Sequence, residues 1–285
     1  YDARHNSKTF AYIATNVLLH LGFKVYLFND IACTPHVPFA VTTKGCAAGI
    51  MVTASHNPKF DNGYKVYWGN GVQIIPPTDG GIADSIQKHL IPQTTYAFTL
   101  PTDNERLIQG EVMENIIEAY YQSIFKECHF VDNSKAQLQA VFTPMHGVGA
   151  RFTERALQTF GLPAYIPVVE QIQPDPEFPT VSFPNPEEPG ALDLAMATAD
   201  KNNVPFIIAN DPDADRLAVA VKNPQTQKWV ILSGNHIAVI FADWTFYQWK
   251  KKHGEDAKQK NCIMLASTVS SKGLQAMANA EGFTF

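Results

Sequence analysis

No two of the four cysteines stand at C-x-x-C spacing: Cys33, Cys46, Cys128 and Cys262 are scattered along 285 residues. That removes the common zinc and dithiol motifs. The sequence also lacks an N-x-S/T sequon, and with so little cysteine it reads as a reduced, cytoplasmic protein. A basic excess is missing too. Lysine and arginine number 22 against 27 acidic residues, a formal charge of −5. A chain that grips nucleic acid by its phosphates needs a basic surface to displace counterions, so no nucleic-acid partner is expected. No apolar run approaches the ~20 residues that span a bilayer, and no membrane partner is expected either. What is plentiful is apolar material, 45% of residues against 17% charged. That supports a sizeable core and excludes a disordered chain.

Strand-like and helix-like stretches alternate along the chain. Helical spacing covers 10–21, with Asn6 or Ser7 as cap and Gly22 as stop, then 82–89 and 112–125. Short strands are expected at 24–28, 49–54, 64–68 and 72–75, and 91–104 is polar and turn-rich. A second unit starts near Gln137, with strands at 138–142, 165–169, 206–209 and 217–221 and helices at 152–160, 192–202 and 237–249. The segment 173–189 carries six prolines and is a long stiff loop. A strand at 262–266 and a helix at 270–281 open a third unit. This alternation is α/β: tandem mixed, largely parallel sheets sandwiched by helices. The chain opens at Tyr1 and closes on Phe283-Thr284-Phe285, like the start of a strand, so it reads as a segment of a longer protein.

Two loops carry chemistry. Thr53-Ala54-Ser55-His56-Asn57-Pro58 follows an apolar strand, and its serine needs activation to act as a nucleophile. Asp211-Pro212-Asp213-Ala214-Asp215-Arg216 sets three carboxylates at alternate positions between apolar strands. Such carboxylates repel one another, and a hard divalent cation such as Mg²⁺ relieves that cost. An EF-hand would need Gly and Glu where Arg216 and Lys222 stand. A dehalogenase-type phosphotransferase would leave Asp215 and the serine loop without a role. Both loops make sense together if Ser55 carries a phosphoryl group, with Arg216, Lys65 and His56 as the offsetting cations. His146 reads as a loop histidine satisfied locally, and Lys250-Lys251-Lys252 as a solvated helix end.

These motifs, Thr-Ala-Ser-His-Asn-Pro with Asn62-Gly63-Tyr64-Lys65 and then Asp-Pro-Asp-Ala-Asp-Arg, resemble those of the α-D-phosphohexomutase superfamily. Tyr64-Lys65-Val66-Tyr67-Trp68, the run from Asp175 to Val181, Asn185-Pro186-Glu187-Glu188 and Ser267-Thr268-Val269-Ser270-Ser271-Lys272 are similar to the eukaryotic phosphoglucomutase-2 branch, which includes phosphopentomutases and glucose-1,6-bisphosphate synthases. The resemblance implies an incomplete phosphohexomutase-like fold: domain I with the phosphoserine loop over 1–130, domain II with the metal loop over 131–258, and the start of domain III over 259–285. It implies catalysis by Ser55, Lys65 and His56, with Lys65 as general acid/base. Mg²⁺ would be held by Ser55, Asp211, Asp213 and Asp215, and substrate by Arg216, Arg4 and Asn57. The implied activity is a mutase for glucose or pentose phosphates, working through a phosphoserine and a sugar bisphosphate. The alternatives are a glucose-1,6-bisphosphate synthase or a non-catalytic phosphosugar- and metal-binding fragment. Without the sugar- and phosphate-binding parts of the family, the segment alone is expected to be poorly active.

Overall fold

The computed structural model describes residues 1–128, 132–254 and 261–285. The expected domain boundaries, at 130/131 and 258/259, lie outside the described residues.

The first unit runs α1 (Ser7–His20), β1 (Val25–Tyr26), α2 (His36–Lys44), β2 (Ala48–Val52), β3 (Tyr64–Trp68), α3 (Thr78–Lys88), β4 (Leu107–Ile108) and α4 (Glu111–Cys128). β1 pairs with β4 in parallel, and β2 with β3 antiparallel in a register that sets Met51 opposite Lys65. Met51 and Tyr67 bury their side chains with Val37 and Ala40 of α2 and with Met113 and Ile116 of α4. Side chains two apart on a strand share a face, so Lys65 stands on the same face as Tyr67, near the carboxyl end of β2. An apolar cleft of about 450 Å³ separates the β1–β4 and β2–β3 pairs, lined by Ala11, Leu18, Val37, Val41 and Ile50.

The second unit is a five-stranded sheet in the order β6-β5-β7-β8-β9, built from β5 (Val141–Thr143), β6 (Ile166–Pro167), β7 (Phe206–Asn210), β8 (Leu217–Lys222) and β9 (Trp229–Leu232). β5 is parallel to both β6 and β7, while β7–β8 and β8–β9 are antiparallel. α5 (Gly149–Thr159) and α6 (Asp193–Lys201) supply the crossovers. Val141, Val168, Ile207, Ala195 and Ala199 are fully buried together. The two alanines let α6 lie close on the sheet, and each buried Val or Ile contributes roughly 1.5–3 kcal/mol. α7 (Gly234–His253) begins on a reciprocal cap between Ser233 and His236, and α8 (Gly273–Glu281) ends on Gly282 in the left-handed region. Among the described residues no helix is long and apolar enough to cross a membrane.

The α/β class and its mixed sheets follow the expectation; the local differences have physical reasons. Residues 72–75 keep only a bridge from Gln73 to Tyr67, since Val72 and Ile75 are exposed and have no apolar face to cover them. Residues 262–266 likewise reduce to a bridge between Ile263 and Thr284. α2 was not anticipated; it carries Pro38 in its first turn, where the missing N–H costs nothing. Ser7 does not cap α1. Its hydroxyl donates to the Val52 carbonyl at 2.7 Å and accepts from the Asp2 N–H at 3.1 Å.

The two units meet along α2, α4 and α5. His36 is enclosed by the rings of Tyr120 and Phe152, 4.9 and 4.8 Å between centroids, and Cys33, Val148 and Phe152 form a buried cluster. This contact brings the loop after β2 against the loops that leave β5 and β7. The latter two emerge from the carboxyl ends of adjacent parallel strands, the place where open α/β sheets hold ligands.

Candidate active site

Ser55 follows β2 with φ at 51°, in the left-handed region. Its N–H donates to Thr53 Oγ1 at 2.9 Å, and its hydroxyl donates to Asp211 Oδ2 at 2.8 Å. His56 Nδ1 is 3.3 Å from the same Oγ. Residues 156 positions apart are thus joined at one oxygen. Of the eight non-glycine residues with positive φ among those described, Ser55, Met145, His146, Phe178 and Ala214 all stand in this site or in the loops packed behind it. Each costs on the order of 1–3 kcal/mol, and such strain persists only where the surroundings over-determine it.

Asp211 and Asp213 are fully buried, while Asp215 is exposed. Asp213 Oδ2 accepts from Lys65 Nζ at 2.7 Å and from Thr34 Oγ1 at 2.5 Å, and Lys65 also donates to Asp215 Oδ2 at 2.8 Å. The Asp211 carboxyl is pushed up to about 7 by burial and then by the like charges of Asp213 and Asp215. Burial also opposes charge on Asp213, but the Lys65 ammonium outweighs it and holds that carboxyl below its usual range. Burial likewise works against the Lys65 charge, yet Asp213 and Asp215 raise its pKa, so it is an ammonium at neutral pH. His56 moves the other way, lowered by partial burial and by Arg216, and is neutral at pH 7. The site therefore holds a proton donor and a proton acceptor whose environments push them apart.

Arg216 presents an exposed side chain, and its backbone N–H donates to Asp211 Oδ1 at 3.0 Å. Asn57 is exposed on the serine loop. Arg4, expected to contact substrate, has its guanidinium against the backbone of the serine loop. It is buried, and its guanidinium donates to the carbonyls of Ser55 at 2.6 Å, Asn57 at 2.8 Å and Pro58 at 2.9 Å. Three of its five N–H donors go to carbonyls behind the loop, and its Nε is buried 3.5 Å from Asp2 Oδ2.

Residues 1–91 match the family description "Phosphoglucomutase/phosphomannomutase, alpha/beta/alpha domain I", and residues 118–225 match domain II of the same family. The chain belongs to the phosphoglucomutase/phosphomannomutase family. Over its whole length it is 45% identical to a Homo sapiens phosphopentomutase, of which it covers 48%. It is 42% identical to a Homo sapiens glucose 1,6-bisphosphate synthase, with 98% of the chain aligned to 45% of that relative. The chain spans about half the length of these curated relatives. Among solved structures, a Thermus thermophilus protein assigned as a phosphomannomutase superposes on 99% of this chain and 58% of its own, with TM-score 0.72 and 25% identity.

Three aspartates could hold a metal. Asp211, Asp213 and Asp215 each offer one oxygen, and the three atoms lie within 4.8 Å of one another. Asp213 Oδ1 is buried without a hydrogen-bond partner, a carboxylate oxygen that a hard cation would satisfy. Residues that sequence reasoning did not single out also build the site. Thr34 anchors Asp213 from the first unit, its N–H donating to the Asp213 carbonyl at 3.0 Å as well. Gly147 lies against Pro212 so closely that a Cβ would sit 2.3 Å from Pro212 Cα. Neither contact has a spacing signal, because each joins segments far apart in the chain. His146 is buried and bonds Thr180 Oγ1 at 2.8 Å, in line with a structural histidine.

Proposed function

We propose that the chain carries the phosphoryl-transfer centre of a phosphosugar mutase, with Ser55 as the residue that holds the phosphoryl group. The observation that carries this reading is the Ser55 hydroxyl, bonded to Asp211 at 2.8 Å beside two further carboxylates and an ammonium. The whole enzyme would transfer the phosphoryl from Ser55 to a sugar monophosphate and take the other phosphoryl of the resulting bisphosphate back. In the first half the Ser55 Oγ–P bond breaks and a bond from phosphorus to the sugar hydroxyl oxygen forms. In the second a P–O bond of the bisphosphate breaks and the Oγ–P bond re-forms.

Asp211, Asp213 and Asp215, with Ser55, would hold Mg²⁺. When bound, it supplies Lewis-acid stabilisation of the charge on the phosphoryl oxygens. The protein's own groups move the protons. His56, neutral and 3.3 Å from Oγ, is placed to take the serine proton as Ser55 receives a phosphoryl group. Lys65, held protonated, is placed to give one to the departing sugar oxygen. Arg216 and Asn57 face outward where a phosphosugar would approach. The relatives' names favour pentose or glucose phosphates as the substrate class. A glucose-1,6-bisphosphate synthase would use the same Ser55 chemistry with a different phosphoryl donor. Free cysteines at 33, 46 and 262 suit the reducing cytoplasm.

The test is mass spectrometry of the peptide containing Ser55 after incubation with Mg²⁺ and glucose 1,6-bisphosphate. One added phosphoryl group on Ser55, abolished in Asp213→Ala, is expected. An unmodified Ser55 would refute the assignment.

A further inference from the structure

The proline-rich segment 173–189 has no part in the chemistry above, yet it reaches the serine loop from the other unit. Its base is fixed by part-buried polar contacts. Thr180 Oγ1 meets His146 Nε2 at 2.8 Å and accepts from Gln171 Nε2 at 2.9 Å, and the Asp175 N–H donates to the His146 carbonyl at 3.0 Å. Its tip grips both flanks of the serine loop. The Phe178 ring, only 4% exposed, lies under the Arg4 guanidinium at 5.0 Å. Glu177 bonds His5 Nε2 at 2.5 Å on one flank and accepts from Lys59 Nζ at 2.6 Å on the other. The Phe183 ring stands edge-on to His56 at 6.1 Å.

The Arg4 guanidinium is what holds the carbonyls of Ser55, Asn57 and Pro58, so the ring beneath it backs the strained serine at one remove. A buried guanidinium with no aromatic face beside it would lose that stacking, and the fork would be free to tilt. We infer that this proline-rich segment is a brace that sets the position of Ser55 against Asp211, with Phe178 and Glu177 as positioning residues acting through Arg4, His5 and Lys59. Six prolines suit the role, because a stiff segment transmits position where a flexible one would not. The inference rests on the reading that Ser55 is the phosphorylated residue.

The test compares Phe178→Leu, Phe178→Tyr and Glu177→Gln with the unaltered chain. The readouts are the rate of Ser55 phosphorylation by glucose 1,6-bisphosphate, the Mg²⁺ dissociation constant and the exchange protection of the Asn57 amide, which bonds the Ala54 carbonyl at 2.9 Å. A cation–π contact is worth a rate factor of about two- to thirtyfold. Phe178→Leu is expected to slow phosphorylation by that factor and to lower Asn57 protection, with Mg²⁺ binding within about twofold of normal. Phe178→Tyr, which keeps the ring, is expected to restore both. Glu177→Gln is expected to slow the reaction less. An unchanged rate in Phe178→Leu, or an equal loss in Phe178→Tyr, would overturn the brace. If the unaltered chain takes no phosphoryl group, the parent reading fails and amide exchange decides the brace alone. Protection lost in Phe178→Leu and kept in Phe178→Tyr then supports it, and protection unchanged in both overturns it.

Discussion

Replacing Gly147 by alanine adds one methyl group at the point where the loop after β5 meets the aspartate loop. The new Cβ would lie 2.3 Å from Pro212 Cα, 2.4 Å from the Pro212 carbonyl oxygen and 2.7 Å from its carbon. All three are backbone atoms, so no side chain can swing aside. Non-bonded carbons rest at about 3.5–4.0 Å, so the two loops must part by roughly 1 Å. The shared hydrogen bond, from the Val148 N–H to the Pro212 carbonyl at 2.8 Å, would stretch with them. Pro212 stands between Asp211 and Asp213, so the displacement passes directly to the carboxylates around Ser55. Overpacking of this kind costs about 1–3 kcal/mol of stability. A misplacement of reacting groups by about 1 Å costs about 10²-fold in rate. Ser55 phosphorylation by glucose 1,6-bisphosphate should therefore fall about a hundredfold in Gly147→Ala, with weakened Mg²⁺ binding. Gly80→Ala is the control: a Cβ there meets nothing within 4 Å, and on α3 it should be neutral or stabilising by about 0.5–1 kcal/mol. A Gly147→Ala protein with normal phosphorylation rate, Mg²⁺ affinity and thermal midpoint would refute the reasoning.

Other perturbations test separate parts of the structure. Burial lowers the His36 pKa to about 4, so the unfolded chain binds a proton on this residue that the folded chain refuses. Stability should thus be fully present above about pH 6.5 and be lost as pH falls towards 4, by about 3 kcal/mol in all. Urea denaturation of wild type and His36→Phe across that range should show the variant with the shallower acid decline, and parallel curves would contradict the assignment. Lys65→Met removes the ammonium from Asp213 and Asp215, so Mg²⁺ should bind more tightly by calorimetry while Ser55 phosphorylation slows; weaker metal binding would count against Asp213 and Asp215 as ligands. Ser7→Ala removes two buried hydrogen bonds, leaving the Asp2 N–H and the Val52 carbonyl only their direct contact at 3.3 Å, and should destabilise by about 1–3 kcal/mol at about 0.5–1.5 kcal/mol per bond. A thermal midpoint unchanged in that variant would show that the bridge does not matter.

Local chemistry alone determined a good deal here. Apolar runs such as 206–209 and 217–221, bounded by turn residues, become adjacent central strands because no other element buries both their faces. The acidic loop between them and the serine loop after β2 were legible for the same reason: reactive residue types at short spacing just beyond an apolar strand have few other uses. Strands at 72–75 and 262–266 were legible only as propensity, and propensity without a covering face gives a bridge and no more. β4 and β9 escaped notice because two to four residues carry too little pattern, and β4 exists by pairing with β1, far away in the chain. Tertiary structure alone decided how the loops meet. It set Ser55 on Asp211, put Lys65 between Asp213 and Asp215, brought Thr34 beneath Asp213 and seated the Arg4 guanidinium on the carbonyls of the serine loop. Each of these depends on residues distant in sequence, whose proximity is fixed by the packing of α2 and α4 against α5 and by close approaches such as Gly147 on Pro212. The sequence dictates which groups can do the chemistry, and only the packed fold dictates which of them share an oxygen.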